Sequence, residues 1–101
     1  MNGLYQTLTV TPIPKKDITL KQKKILKNNL NKIGASQGKA IFMLILEHAK
    51  ICDDFIYDPS DAKIPYTGEI ENADILFKLE KFPKELRWVL WRFFDFLTEH
   101  E

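Results

Sequence analysis

The chain of 101 residues is 45% apolar and carries fifteen lysines and arginines against fourteen acids, with a single cysteine, Cys52. That is one domain's worth of sequence, enough to bury roughly two-thirds of its unfolded surface without disulfide or metal support. No apolar run approaches the ~20 residues of a membrane span, the opening Met1-Asn2-Gly3-Leu4-Tyr5-Gln6 lacks the pattern of a secretory signal, and a lone cysteine suits a reducing compartment, so an intracellular protein, nuclear or cytoplasmic, is expected.

The net charge of +1 conceals an asymmetry. Residues 1–50 hold nine lysines against Asp17 and Glu47, a surplus of seven positive charges, and residues 51–101 hold six basic residues against twelve acids, a surplus of six negative ones. Such a split can steer an acidic partner or nucleic acid to one face, or can be neutralised between solvated faces.

Residues 4–13 alternate Thr7, Thr9 and Thr11 with Leu8 and Val10, the period of a one-sided strand, which Pro12 and Pro14 end and confine to an edge. Residues 1–18 therefore read as an extended N-terminal arm, outside a helical domain of residues 19–101. Thr19-Leu20-Lys21-Gln22 fits a capping box and opens a helix. Leu26, Leu30 and Ile33 form its apolar stripe, Lys21, Lys24, Lys27 and Lys32 its basic face, and Gly34 its end. A second helix, capped by Ser36, contains the nearly all-apolar run Ala40 to Leu46 and is expected to be the most central element, with Met43 as core filler and His48 satisfied or exposed. From Cys52 to Gly68 the Asp, Pro and Gly residues mark a long loop, pinned by Phe55, Ile56, Tyr57 and Tyr66. Ile75, Phe77 and Leu79 alternate as a short strand, and Pro83 opens a third helix. On that helix Leu86, Val89, Leu90, Phe93, Phe94, Phe96 and Leu97 share one broad arc. Trp88 and Trp91 lie opposite, so another segment or a partner must cover them.

The residues offer little catalytic chemistry. Cys52 has His48 four residues upstream and acids at Asp53 and Asp54, but nothing supplies an oxyanion donor or a fourth strong metal ligand. Gly34 and Gly38 have neither the preceding strand nor the Gly-Lys-Ser/Thr of a phosphate loop. A non-enzymatic protein without cofactor or small-molecule substrate is expected. The lysines from Lys15 to Lys39, without arginine or interleaved aromatics, would give at most nonspecific, salt-sensitive nucleic-acid binding.

The order of elements from about Ile18 to Leu97 resembles the extra-terminal (NET) domain of BET-type bromodomain proteins. The resemblance is carried by Thr19-Leu20-Lys21-Gln22-Lys23-Lys24-Ile25-Leu26 with Asn31-Lys32-Ile33 in the opening helix, by Ala40 to Leu46, and by Leu79-Glu80-Lys81-Phe82-Pro83-Lys84-Glu85-Leu86 at the entry to the last helix. It implies a module that captures short peptides of alternating basic and apolar residues from transcription and chromatin factors, adding them as a strand beside an acidic one. Here Leu76 and Lys78 stand where the family strand places acids, with Glu69, Glu71 and Asp74 upstream. The Ile64-Pro65-Tyr66 turn resembles that of stand-alone versions typical of large DNA viruses.

The reading is thus a mainly α protein with minor β: three helices, a short strand before the last and an N-terminal β-arm. It works as a protein–protein interaction module, with Trp88, Trp91, Leu76, Lys78, Asp74, Glu71, Glu69, Leu8 and Val10 as partner-binding residues. Leu8 and Val10 could occupy the peptide groove in cis, or a neighbouring copy's in trans. The alternatives are a structural or assembly subunit, such as a minor virion component, and nonspecific nucleic-acid binding.

Overall fold

A computed structural model describes residues 3–58, 60, 64–66, 68–71 and 74–99. The described elements are α1 (Gly3–Thr9), α2 (Leu20–Leu30), α3 (Ala35–Asp53), a hairpin of β1 (Glu69–Glu71) and β2 (Asp74–Leu76), one 3-10 turn (Leu79–Lys81) and α4 (Lys84–Glu99). The fold is mainly α and bundle-like, with minor β, as the periodicities predict.

The N-terminal β-arm is not formed; its place is taken by α1. Leu8 lies three residues after Tyr5, one helical step on the same face, and both are buried, whereas Val10, its expected strand companion, is 80% exposed. The threonines that suggested a strand are accommodated because Thr9 Oγ1 donates to the Tyr5 carbonyl at 2.8 Å, the back-bond that lets threonine close a helix. Burial of Tyr5 and Leu8 outweighs a β propensity that spans only about 1 kcal/mol. Residue 18 does not divide the core either, since Tyr5, Leu8 and Ile18 join the same buried cluster as the later helices.

The capping box of α2 forms in full: the Gln22 N–H donates to Thr19 Oγ1 at 3.1 Å, and the Thr19 N–H donates to Gln22 Oε1 at 2.8 Å. Gly34 does not end this helix. The helix closes at Leu30 with Asn31 as its cap, and Gly34 becomes the N-cap of α3 in place of Ser36. The Gly38 N–H donates to the Gly34 carbonyl at 2.9 Å, so the first turn begins ahead of Ser36 and absorbs it. At the far end Asp54 adopts the left-handed conformation (φ 53°), and the Phe55 N–H donates to the Ala49 carbonyl.

The most central helix is α4, not α3. It packs against α1, α2 and α3 together, and its Leu86, Val89 and Leu90 are fully buried. By contrast α3 leaves Met43 and Ile51 more than half exposed, because α1 and α4 cover only the face carrying Ile41, Leu44, Ile45, His48 and Ala49. The start of α4 follows Pro83 as expected, the Arg87 N–H donating to the Pro83 carbonyl at 3.1 Å.

The strand before α4 is shorter than its alternation suggests and has a partner. β1 and β2 pair antiparallel with Glu69 opposite Leu76, Ile70 opposite Ile75 and Glu71 opposite Asp74. After Leu76 the chain leaves the ladder, and Leu79 and Phe82 turn into the core around the 3-10 turn.

Candidate functional site

The junction of α2 and α3 and the segment after β2 face each other across an apolar groove of about 610 Å³. Leu30, Ile33 and Ile41 line one side, Phe77, Leu79 and Phe82 the other, and Leu90 of α4 contributes to the lining. Gly38, in the first turns of α3, helps to open it: a Cβ there would meet only Ile33 Cδ1, at 3.8 Å.

A row of rings borders the groove. Phe42 meets Tyr57 edge-on at 5.5 Å between centroids and Phe77 at 6.4 Å; Phe77 meets Phe82 at 5.4 Å, and Phe82 and Tyr66 form a T-shaped pair at 5.8 Å. The long loop is therefore pinned on aromatic contacts, as expected, though through Tyr57 and Tyr66; Ile56 is exposed. Tyr66 has a left-handed backbone (φ 57°), unusual for an aromatic residue, and its hydroxyl donates to Asp53 Oδ2 at 2.6 Å. Gly68 is required by close approach rather than by its dihedral angles. A Cβ there would collide with Ile64 Cγ2 and lie 2.6 Å from Phe77 Cε1.

The expected partner-binding residues fall into two separate regions. Glu69, Glu71, Asp74 and Leu76 belong to the hairpin that runs into Phe77, and Lys78 follows, exposed. Trp88 and Trp91 belong to the other region, Trp88 lying roughly 200° around α4 from Leu90 at ~100° per residue. Both indoles are half-buried against the core. The N-terminal segment crosses this face: Trp88 Nε1 donates to the Lys16 carbonyl at 2.8 Å, and Arg92 donates to the carbonyls of Leu8, Thr11 and Pro12 at 2.9, 2.7 and 3.0 Å. Asp17 closes the strap by accepting from Arg87 Nε at 3.0 Å and Nη2 at 2.8 Å, with Lys23 Nζ at 2.9 Å. Burial pushes the Asp17 carboxyl up, but the hydrogen bonds from Lys23, Arg87 and the Ile18 N–H outweigh it and hold the group below its ordinary range. Leu8 is buried inside the protein, so it cannot offer a side chain to a partner groove in this state.

His48 is a satisfied core histidine. It is 3% exposed, and its Nδ1 lies 2.8 Å from the Tyr5 hydroxyl. Cys52 Sγ stands 3.9 Å from the same nitrogen, and burial, with Asp53 and Glu85, raises its thiol against a hydrogen bond to Tyr5. A raised thiol beside an imidazole nitrogen already engaged by Tyr5 is not an activated nucleophile. Among the described residues no three His, Cys, Asp or Glu side chains converge as a metal would need, and no helix is long and apolar enough to cross a membrane.

Sequence reasoning missed the groove itself. Its walls come from positions as distant as Leu30 and Phe82, and Phe42 and Phe77 read as ordinary core; the usable signal was the bunching of Tyr57, Tyr66, Phe77 and Phe82 around Pro and Gly turns. No protein-family model, curated protein or solved structure matches this chain.

Proposed function

We propose that the protein is a non-enzymatic interaction module that captures an extended peptide. The observation that carries this reading is the apolar groove bordered by Phe42, Phe77 and Phe82 and entered directly from β2. Among the described residues β2 pairs with β1 alone, and a guest strand would add at its second edge. Backbone pairing would supply affinity, and alternate side chains would enter the groove. The segment from the hairpin through the 3-10 turn carries Glu69, Glu71, Asp74 and Glu80 against Lys78 and Lys81, which favours basic residues at the outward positions of the guest. A volume of about 610 Å³ also falls in the range of small-molecule pockets, so it is the run of β2 straight into Phe77 of the lining, not the size, that favours a short linear segment.

This agrees with the extra-terminal resemblance, and by that analogy the guest is a segment of a transcription or chromatin factor in the nucleus or cytoplasm, or of a viral counterpart. The test is a titration of labelled protein with a synthetic peptide alternating isoleucine and lysine, followed by amide chemical shifts. Movement at Ile33, Phe42, Phe77 and Phe82, lost in Gly38→Leu and absent with an isoleucine–glutamate peptide, supports the reading. Movement confined to Lys21, Lys24 and Lys27 on addition of duplex DNA would favour the nucleic-acid alternative. No movement with the peptide, together with a concentration-dependent dimer, would favour an assembly subunit.

A further inference from the structure

The short helix α1 is held by a polar contact that its length makes decisive. Seven residues are too few for a helix to persist in water on its own. α1 therefore exists only while docked, through Tyr5, Leu8 and the hydrogen bond between the Tyr5 hydroxyl and His48 Nδ1, 43 residues away. We propose that this Tyr5–His48 contact is an acid-sensitive latch: protonation of His48 lifts the Tyr5 end of α1 from α3 and α4 while the other three helices stay folded.

Which of the Tyr5 hydroxyl and Nδ1 donates depends on the imidazole tautomer, and either arrangement belongs to a neutral ring. The hydroxyl can still accept from a protonated Nδ1, so the cost of a second proton is the charge it places beneath docked α1, in a site with 3% exposure, which lifting Tyr5 opens to water. The titratable groups facing His48 and its partner, among the described residues, are Tyr5 from α1, Glu47, Cys52 and Asp53 from α3 itself, Tyr66 from the loop with ring centroids 6.5 Å apart, and Glu85 from α4. Burial lowers the imidazole below 6.5 and outweighs the opposing pull of Asp53 and Glu85. Burial first, then Cys52 and Glu47, push the Tyr5 hydroxyl up to about 12, so it keeps its proton throughout the range in which His48 titrates. The sign follows: neutral His48 stabilises docking above the free imidazole value, and that stabilisation is lost as pH falls below it. Arg92 holds the carbonyls of Leu8, Thr11 and Pro12 at either pH, so the lift is confined to the start of the helix and leaves the strap in place.

The experiment is amide hydrogen exchange on the whole chain from about pH 8 to about pH 5, with the intrinsic pH dependence divided out, alongside the NMR titration of His48. Opening at Thr7, Leu8 and Thr9 should increase by up to about tenfold per pH unit from about 6.5 downward and level off at the midpoint of the native-state His48 titration, while Ile45 and Leu90 keep their protection. In His48→Gln, whose side-chain oxygen can still accept from Tyr5 but does not titrate, exchange at those three amides should be flat with pH. A flat profile in the wild-type protein, a rise that continues past the His48 midpoint, or persistence of the pH dependence in His48→Gln would overturn the latch. If His48→Gln does not fold, whether the wild-type rise levels off at the His48 midpoint decides the matter alone.

Discussion

Replacing Arg92 by Met tests whether the N-terminal strap is part of the fold or merely lies on it. Methionine keeps most of the aliphatic stem that packs along α4, so the change isolates the guanidinium. That group donates to three backbone carbonyls, Leu8, Thr11 and Pro12. Hydrogen bonds to a charged partner contribute about 1.5–3 kcal/mol each when shielded. The bonds to Thr11 and Pro12 are exposed and water can replace them, leaving the partly buried bond to Leu8 as the dominant loss. The expected destabilisation is about 2 kcal/mol, which for a domain of this size lowers the melting temperature by roughly 8–16 °C and the urea midpoint by about 1–2 M. Arg92→Lys, able to reach one carbonyl at a time, should recover less than half of the loss. The assay is urea unfolding followed by tryptophan fluorescence. A midpoint for Arg92→Met within about 0.2 M of wild type, at unchanged slope, would refute the claim that the strap is integral.

Four further outcomes are expected. Leu90→Ala should cost about 3–5 kcal/mol in the same unfolding assay, because Leu90 is fully buried and the groove beside it resists collapse. Gly68→Ala should cost about 1–3 kcal/mol and shift the ring resonances of Phe77, since the added methyl must displace Phe77 or Ile64. Asp17, held below its ordinary value of 3.8, contributes stability that is complete above that value and is lost as pH falls through the lowered one. The stability gap between wild type and Asp17→Asn should therefore be constant above about pH 5 and close under stronger acid, and a gap that widens on acidification would contradict this sign. Gly38→Leu, used above to block the groove, should leave stability unchanged or raise it by up to about 1 kcal/mol, because it removes a helical glycine where the nearest side chain lies at ordinary contact distance.

Local signals read well where local chemistry decides. The Thr19–Gln22 box and the Pro83 start both stand where their side chains or ring dictate. Gly34 was ambiguous because a glycine serves equally as the end of one helix or the entry to the next, and only the distance from Leu30 to Ala35 separates the two. Residues 4–10 misled for a stronger reason. Thr and Val at alternate positions state a β preference, yet the outcome was set by where Tyr5 and Leu8 could be buried, against helices that lie 40 to 90 residues away. β1 escaped because Glu69-Ile70-Glu71 is too short for any period to register. The groove and the Tyr5–His48 contact are products of tertiary folding, and neither spacing nor composition encodes which distant ring meets which.

The strap has a bearing on how the chain is made. Asp17 waits for Arg87, 70 positions later, and Leu8 waits for Arg92, 84 positions later. Until the final helix emerges from the ribosome Asp17 and Leu8 lack their arginine partners, and Tyr5 has only His48 and the neighbouring face of α3 to rest on. Closure at such separation is slow relative to local helix formation, so α1 should be the last element to settle during biosynthesis, and truncation anywhere before Arg92 should leave the beginning of the chain as loose as its end.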